Sequence, residues 1–154
     1  MTPEQASSGQ AYGASVRPPD ETTPERAERI LRLLRNSYPG KRCYDIDGRG
    51  LHFVCEVDPA AEHPGYDKAV EVIISSNPHK HKRTTQRYTV LSGSLELHLN
   101  DASILLRTGD TYIVKPETVH WATSDDEALV EICSRPGWTP EDHLHVHPPE
   151  RPST

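Results

Sequence analysis

From Gly50 to Ser134 the chain is a succession of short apolar runs separated by turn residues. GLHFVCEV, AVEVIISS, QRYTVLSG, SLELHLN, SILLR, DTYIVK, VHWAT and EALVEICS are rich in Val, Ile, Leu, Tyr and Thr. Gly93, Asn100-Asp101, Gly109-Asp110 and Asp125-Asp126 break them. Short strands of this kind at regular spacing predict an antiparallel sandwich or barrel. SLELHLN alternates cleanly: Leu95, Leu97 and Leu99 share one face and Glu96 and His98 the other. One side of that strand is therefore expected to be buried.

The ends read differently. Residues 1–21 are small, polar and proline-containing, and are expected to be disordered or loosely packed. A helix is expected over 22–38: Thr22 and Thr23 offer caps, Pro24 suits the first turn, and Glu25 completes a capping box with Thr22. Ala27, Ile30, Leu31 and Leu34 form one apolar stripe facing a core. Arg26, Arg29, Arg32 and Arg35 line another face, which reads as solvated, with Glu25 and Glu28 nearby. The barrel is expected over 43–136, followed by a proline-rich C-terminal extension over 137–154 that Trp138 anchors.

At 154 residues the chain has the size of one domain. Its net charge of -6, without a lysine-arginine block, disfavours a nucleic-acid partner. No apolar run approaches the ~18 residues that span a bilayer, and the first residues lack signal-peptide features. A cytoplasmic protein with no membrane partner is the expectation. Cys43, Cys55 and Cys133 are odd in number and scattered, so no disulfide framework is expected. Cys55 and Cys133 read as small buried hydrophobes.

The chemistry concentrates in NPHKHKRTTQRYTVLSG, residues 77–93. In extended backbone, residues i and i+2 point to the same side, so His79 and His81 can share one space. A metal needs at least three converging donors, and His120, after a second glycine-led strand, is the obvious third.

These motifs resemble those of the cupins over roughly residues 45–134. The first cupin motif runs histidine-x-histidine, then an acid, then a glycine; His79, His81 and Gly93 match, and Gln86 stands in the place of the glutamate. In the second motif Gly109 and His120 match, whereas Lys115, Glu117 and Ser124 replace the usual proline, glycine and asparagine. The resemblance implies an all-β, double-stranded β-helix (jelly-roll) barrel with the two motifs facing each other across its mouth. It also implies one divalent transition metal (Fe, Zn, Mn, Ni or Cu) held by His79, His81, Gln86 and His120.

Gln86 brings no charge and no basic group, so three imidazoles plus an amide leave a divalent ion its full charge. Such a site suits a small oxygenated substrate that is anionic or enolisable. Alternatively Gln86 hydrogen-bonds a bound water or the substrate, a catalytic role. Acid–base work then falls to Tyr88 first, or to Tyr112 or His52. The neutral ligand set resembles that of three-histidine dioxygenases, which places oxygen chemistry slightly ahead of isomerase, cyclase or lyase chemistry. A non-catalytic cupin that binds or senses a sugar or organic acid is the alternative. Small cupins commonly pair, so the resemblance also implies a homodimer. His143, His145 and His147 alternate in EDHLHVH and could hold a second metal, although surface histidines are the simpler reading.

Overall fold

Strand alternation decides which side of the sheet each residue meets, and it builds two cores. The structure, a computed structural model, describes residues 18–146. After helix α1 (Thr23–Ser37) come β1 (Arg42–Asp45), β2 (His52–Asp58), β3 (Asp67–Ser75), β4 (His79–Lys80) and β5 (Thr85–Ser92). They are followed by β6 (Ser94–Leu99), β7 (Ala102–Arg107), β8 (Thr111–Val114), β9 (His120–Arg135) and β10 (Leu144–His145). All the pairings are antiparallel, within one curled ten-stranded sheet. The all-β, jelly-roll expectation holds.

Phe53 and Cys55 of β2 and Val70 and Val72 of β3 face α1, where they bury Ile30 and Leu34. Their neighbours one residue away, His52, Val54, Ala69 and Glu71, face the inside of the curl instead. Leu95, Leu97, Val90, Val130 and Tyr88 fill the second core between the opposed strands. Burying a side chain of this size contributes about 1.5–3 kcal/mol, so each core would be markedly weakened by one truncation.

Thr22 caps α1 through the expected capping box with Glu25. The arginine face is not simply solvated. Arg29 sits between Glu21 and Glu127, with Nε–Oε2 at 2.7 Å to the first and Nη2–Oε2 at 2.5 Å to the second. Arg26 donates to the Gly50 carbonyl at 2.8 Å. These contacts tie the helix, and Glu21 just before its cap, to the sheet. Residues 1–17, most of the segment expected to be loose, lie outside the described residues, as do 147–154.

Strand β9 runs through sixteen residues, including Asp125-Asp126, which the sequence reads as a turn between two strands. Its pairing with β3 shifts register across this point, from Ala128 opposite Ile73 to Thr123 opposite Ser75, and its pairing with β5 shifts a few residues later, between Leu129 and Val130. A bulge absorbs the exposed acidic pair without ending the strand. The strand can therefore serve two parts of the fold. Its start pairs with β4 and β6, and its end lies between β3 and β5.

Two turns carry the motifs. Gly93 joins β5 to β6 with φ +83, and a Cβ there would lie 3.0 Å from the Glu127 carbonyl oxygen. Glu117, standing where the cupin motif has glycine, takes φ +69 without being glycine. Its N–H donates to the His81 carbonyl at 2.6 Å, which brings the turn before His120 against the first histidine pair.

Candidate metal centre

Antiparallel pairing assembles the site. His79 on β4 is the direct cross-strand partner of His120 on β9, and His81 follows two residues after His79. The ring centroids are 4.3 Å apart for His79–His120, 5.0 Å for His79–His81 and 5.6 Å for His81–His120. One ring nitrogen from each lies within 4.8 Å of the others, in the one group of three potential metal ligands among the described residues. All three rings are buried.

Hydrogen bonds choose the tautomers. His79 Nδ1 donates to the Asn77 carbonyl at 2.9 Å, His81 Nδ1 to that of Asp142 at 2.7 Å, and His120 Nδ1 to that of Thr118 at 2.9 Å. A neutral imidazole has one N–H, so each Nε2 presents a lone pair. Burial, with His120 and His143 close by, lowers the His79 imidazole to about 2. Burial likewise lowers His120 to about 4 and pushes His81 down. All three are therefore neutral near pH 7, the form that ligates a metal.

The residues present fit a metal. His81 Nε2 is buried with no hydrogen-bond partner, a costly orphan unless a cation takes its lone pair. Gln86 Oε1 lies 3.2 Å from His120 Nε2, so lone pair faces lone pair, an arrangement that a cation between them would relieve. The Gln86 amide is held from the other side, where its Nε2 donates to Ser134 Oγ at 3.1 Å; the two residues are cross-strand partners on β5 and β9. His79, His81, Gln86 and His120 thus come together as a set.

A cavity of about 110 Å³ opens beside this cluster, lined on the cluster side by His79, Gln86 and His143. His81 and His120 lie deeper. A wider space of about 330 Å³ adjoins it, sharing His52, Tyr44, Trp138 and His143 and reaching Arg42, Asn77 and His145. Tyr88 lines the inner cavity but belongs to the core, with its ring edge-on to His120 at 6.0 Å. Its burial pushes the phenol far above its ordinary range, so Tyr88 can donate its O–H but does not act as a base near neutral pH. His52 also lines the cavity, with Nε2 2.5 Å from Glu71 Oε1. Tyr112 packs partly buried against the core opposite Tyr88.

Sequence reasoning gave the C-terminal segment too small a part. The Asp142 carboxylate accepts the N–H groups of Lys82, Arg83 and Thr84 at 2.8, 3.1 and 3.1 Å, while its carbonyl holds His81. β10 pairs with β4, placing Leu144 opposite Lys80 and His145 opposite His79. His143 stacks on His79 at 4.3 Å with an interplanar angle of 8°. It is neither a loose surface histidine nor part of a separate three-residue metal group among the described residues; His147 lies outside them. The available sequence signal was TPED, in which the Thr139 side chain accepts from the Asp142 N–H as a cap. Of the cysteines, Cys43 and Cys55 are buried as cross-strand partners, whereas Cys133 is only half-buried beside Arg87.

No curated protein matches this sequence. Residues 70–135 match the family model for the cupin domain. Among similar solved structures is Pac13 of Streptomyces, a nucleoside dehydratase, at 17% identity and a TM-score of 0.61 over 71% of this chain and 88% of that one. KdgF from Halomonas sp. has 21% identity and a TM-score of 0.54, over 62% of this chain and 87% of that one. Ectoine synthase from P. lautus has 10% identity and a TM-score of 0.52, over 68% and 82%. These likenesses are of fold. The family match spans strands β3 to β9 with both histidine motifs, and residues 70–135 form a cupin domain.

Proposed function

We propose that this chain is a metal-dependent enzyme that moves protons on a small, enolisable hydroxy-carbonyl compound, as a lyase or isomerase. The observation that carries this reading is that one cavity is lined by the His52–Glu71 couple and, through His79 and Gln86, reaches the three-histidine cluster. His79, His81 and His120 would hold a divalent metal, which when bound would supply Lewis acidity.

The chain's own groups divide the remaining work. His52 Nε2–H donates to Glu71, which leaves Nδ1 as the nitrogen that takes or gives a proton. Glu71 orients the ring and stabilises its charged form: burial lowers the His52 pKa, but Glu71 together with Asp47 and Asp45 outweighs it and the pKa is raised. Tyr88 offers an O–H to a substrate oxygen. Gln86 holds its place beside His120, adding no charge to the ligand set.

Charge narrows the substrate. Glu56, Asp58, Asp67 and Glu71 line the cavity against Lys68 alone. A substrate carrying several negative charges would be repelled, so a neutral enolisable compound fits better than the anionic one expected from the ligand set. The dehydratase among the similar folds indicates that this scaffold can host loss of water. The neutral three-histidine set is the feature favouring a dioxygenase instead.

The test is to load the purified chain with Zn²⁺ or Mn²⁺ and incubate it with hydroxyketones and hydroxyaldehydes in D₂O. Deuterium incorporation or loss of water is followed alongside oxygen uptake. Deuterium exchange or water loss without oxygen consumption, abolished in His52→Gln with metal retained, supports the reading. Oxygen consumption by the Fe²⁺-loaded protein with 1,3-diketones, phenols or thiols supports the dioxygenase. Metal binding with no turnover of any kind points to the binding module.

A further inference from the structure

His143 adjoins the ligand cluster, yet its hydrogen bonding is opposite to that of the three ligands. Its Nδ1 accepts the indole Nε1–H of Trp138 at 3.0 Å. Indole nitrogen is a donor only, so His143 Nδ1 carries no proton. The single proton of the neutral ring then sits on Nε2. His79, His81 and His120 carry theirs on Nδ1, bonded to backbone carbonyls. A protonated Nε2 cannot ligate a metal, and the lone pair on Nδ1 is already taken. Among the described residues, His143 Nε2 has no hydrogen-bond partner.

Packing places this free donor beside the cluster. The His143 ring lies parallel to His79 at 4.3 Å and edge-on to His81 at 5.5 Å, and it lines both the inner cavity and its mouth. Pairing of β10 with β4 and the Asp142 bonds to Lys82–Thr84 hold it there.

We propose that His143 is not a fourth ligand but the hydrogen-bond donor that binds a substrate oxygen next to the metal, with Trp138 setting its tautomer. The ligand class is a carbonyl, enolate or hydroxamate-like oxygen bound to the metal and to His143 Nε2–H together. Trp138 is a positioning residue. The inference rests on the metal reading above and assigns the fourth nearby histidine a role of its own.

The test uses the full chain labelled with ¹⁵N-histidine, first without metal, then in Zn²⁺ competition with a chelator, then loaded with Co²⁺ and titrated with acetohydroxamate by visible absorption. His143 should show an unprotonated Nδ1 and a protonated Nε2. His143→Phe keeps the stacked ring and should hold Zn²⁺ within about threefold of the wild type, because no ligand is lost. It should weaken acetohydroxamate about tenfold or more, the effect of losing one hydrogen bond to a charged oxygen. Trp138→Phe should keep Zn²⁺, mix the two His143 tautomers, and weaken acetohydroxamate to a smaller extent. A roughly hundredfold loss of Zn²⁺ in His143→Phe, unchanged acetohydroxamate affinity, or a wild-type His143 protonated on Nδ1 would each overturn the proposal and leave the metal reading standing. Absence of Zn²⁺ uptake by the wild type would remove both.

Discussion

The Asp142 carbonyl accepts the Nδ1–H of His81 at 2.7 Å, so the C-terminal segment sets the tautomer of a histidine 61 residues earlier. The Asp142 carboxylate also collects three successive N–H groups, from Lys82, Arg83 and Thr84. Burial pushes this carboxyl up, but those donors outweigh it and hold the group below the ordinary carboxylate range. Asp142→Ala keeps the carbonyl but strips the segment of its anchor. It should cost about 2–3 kcal/mol by leaving donors unsatisfied. Zn²⁺ affinity should fall by about ten- to a hundredfold, as when the partner of a ligand is lost. Urea unfolding and chelator competition measure the two effects.

The His52–Glu71 pair should make stability depend on pH. Burial alone would lower the His52 pKa, but Glu71, Asp47 and Asp45 together more than offset it, and the pKa is raised. A raised folded-state value means that the pair's contribution is complete below the unfolded histidine value of about 6.5 and is lost as pH climbs through the folded value. His52→Gln should therefore cost more stability near about pH 6 than near about pH 9. Urea unfolding at both pH values checks this, and an equal cost at both would contradict it.

Gln86 is the uncharged neighbour of the three-histidine cluster, with its Oε1 3.2 Å from His120 Nε2. Gln86→Glu places a carboxylate beside His120 and Ser134, and should raise divalent-metal affinity by about tenfold or more. The same change should lower the stability of the metal-free protein, since a buried carboxylate then has no cation. Chelator competition and thermal melts with and without Zn²⁺ should move in opposite directions.

Glu117 holds φ +69 without being glycine. Left-handed backbone costs a residue with a Cβ about 1–2 kcal/mol. The Lys80–Glu117 pair at 3.2 Å is mostly exposed and offsets little of this. Glu117→Gly should stabilise the protein by about 0.5–1 kcal/mol, seen as a higher urea midpoint with an unchanged m-value.

Local rules carried much of this structure. Alternation in SLELHLN foretold Leu95 and Leu97 in the core, the capping box placed the start of the helix, and the i, i+2 spacing of His79 and His81 foretold their shared space. His120 was legible because it follows a second glycine-led strand, and in the fold it opens β9. What stayed hidden is tertiary. Asp125-Asp126 has turn composition, yet the pairing of β9 with β3 shifts register across it and the strand continues. Trp138, Asp142 and His143 lie in proline-rich sequence that reads as a tail. They reach the site only because backbone donors at 82–84 and the edge of β4 receive them. His52 was among the acid–base candidates, but its pairing with Glu71 was not foreseen, since the two sit on different strands and meet diagonally across the pairing of Val54 with Glu71.

Metal content, measured on untagged protein and on the His79→Ala, His120→Ala double variant, is the most direct test. The wild type should carry about one divalent ion per chain, with four or five donors around it. The double variant, its fold verified by circular dichroism, should carry about a tenth of that or less. Equal metal content in the two proteins, or a wild type that takes up none when Zn²⁺, Mn²⁺, Fe²⁺, Ni²⁺ and Cu²⁺ are offered, would contradict a metal centre built on these histidines.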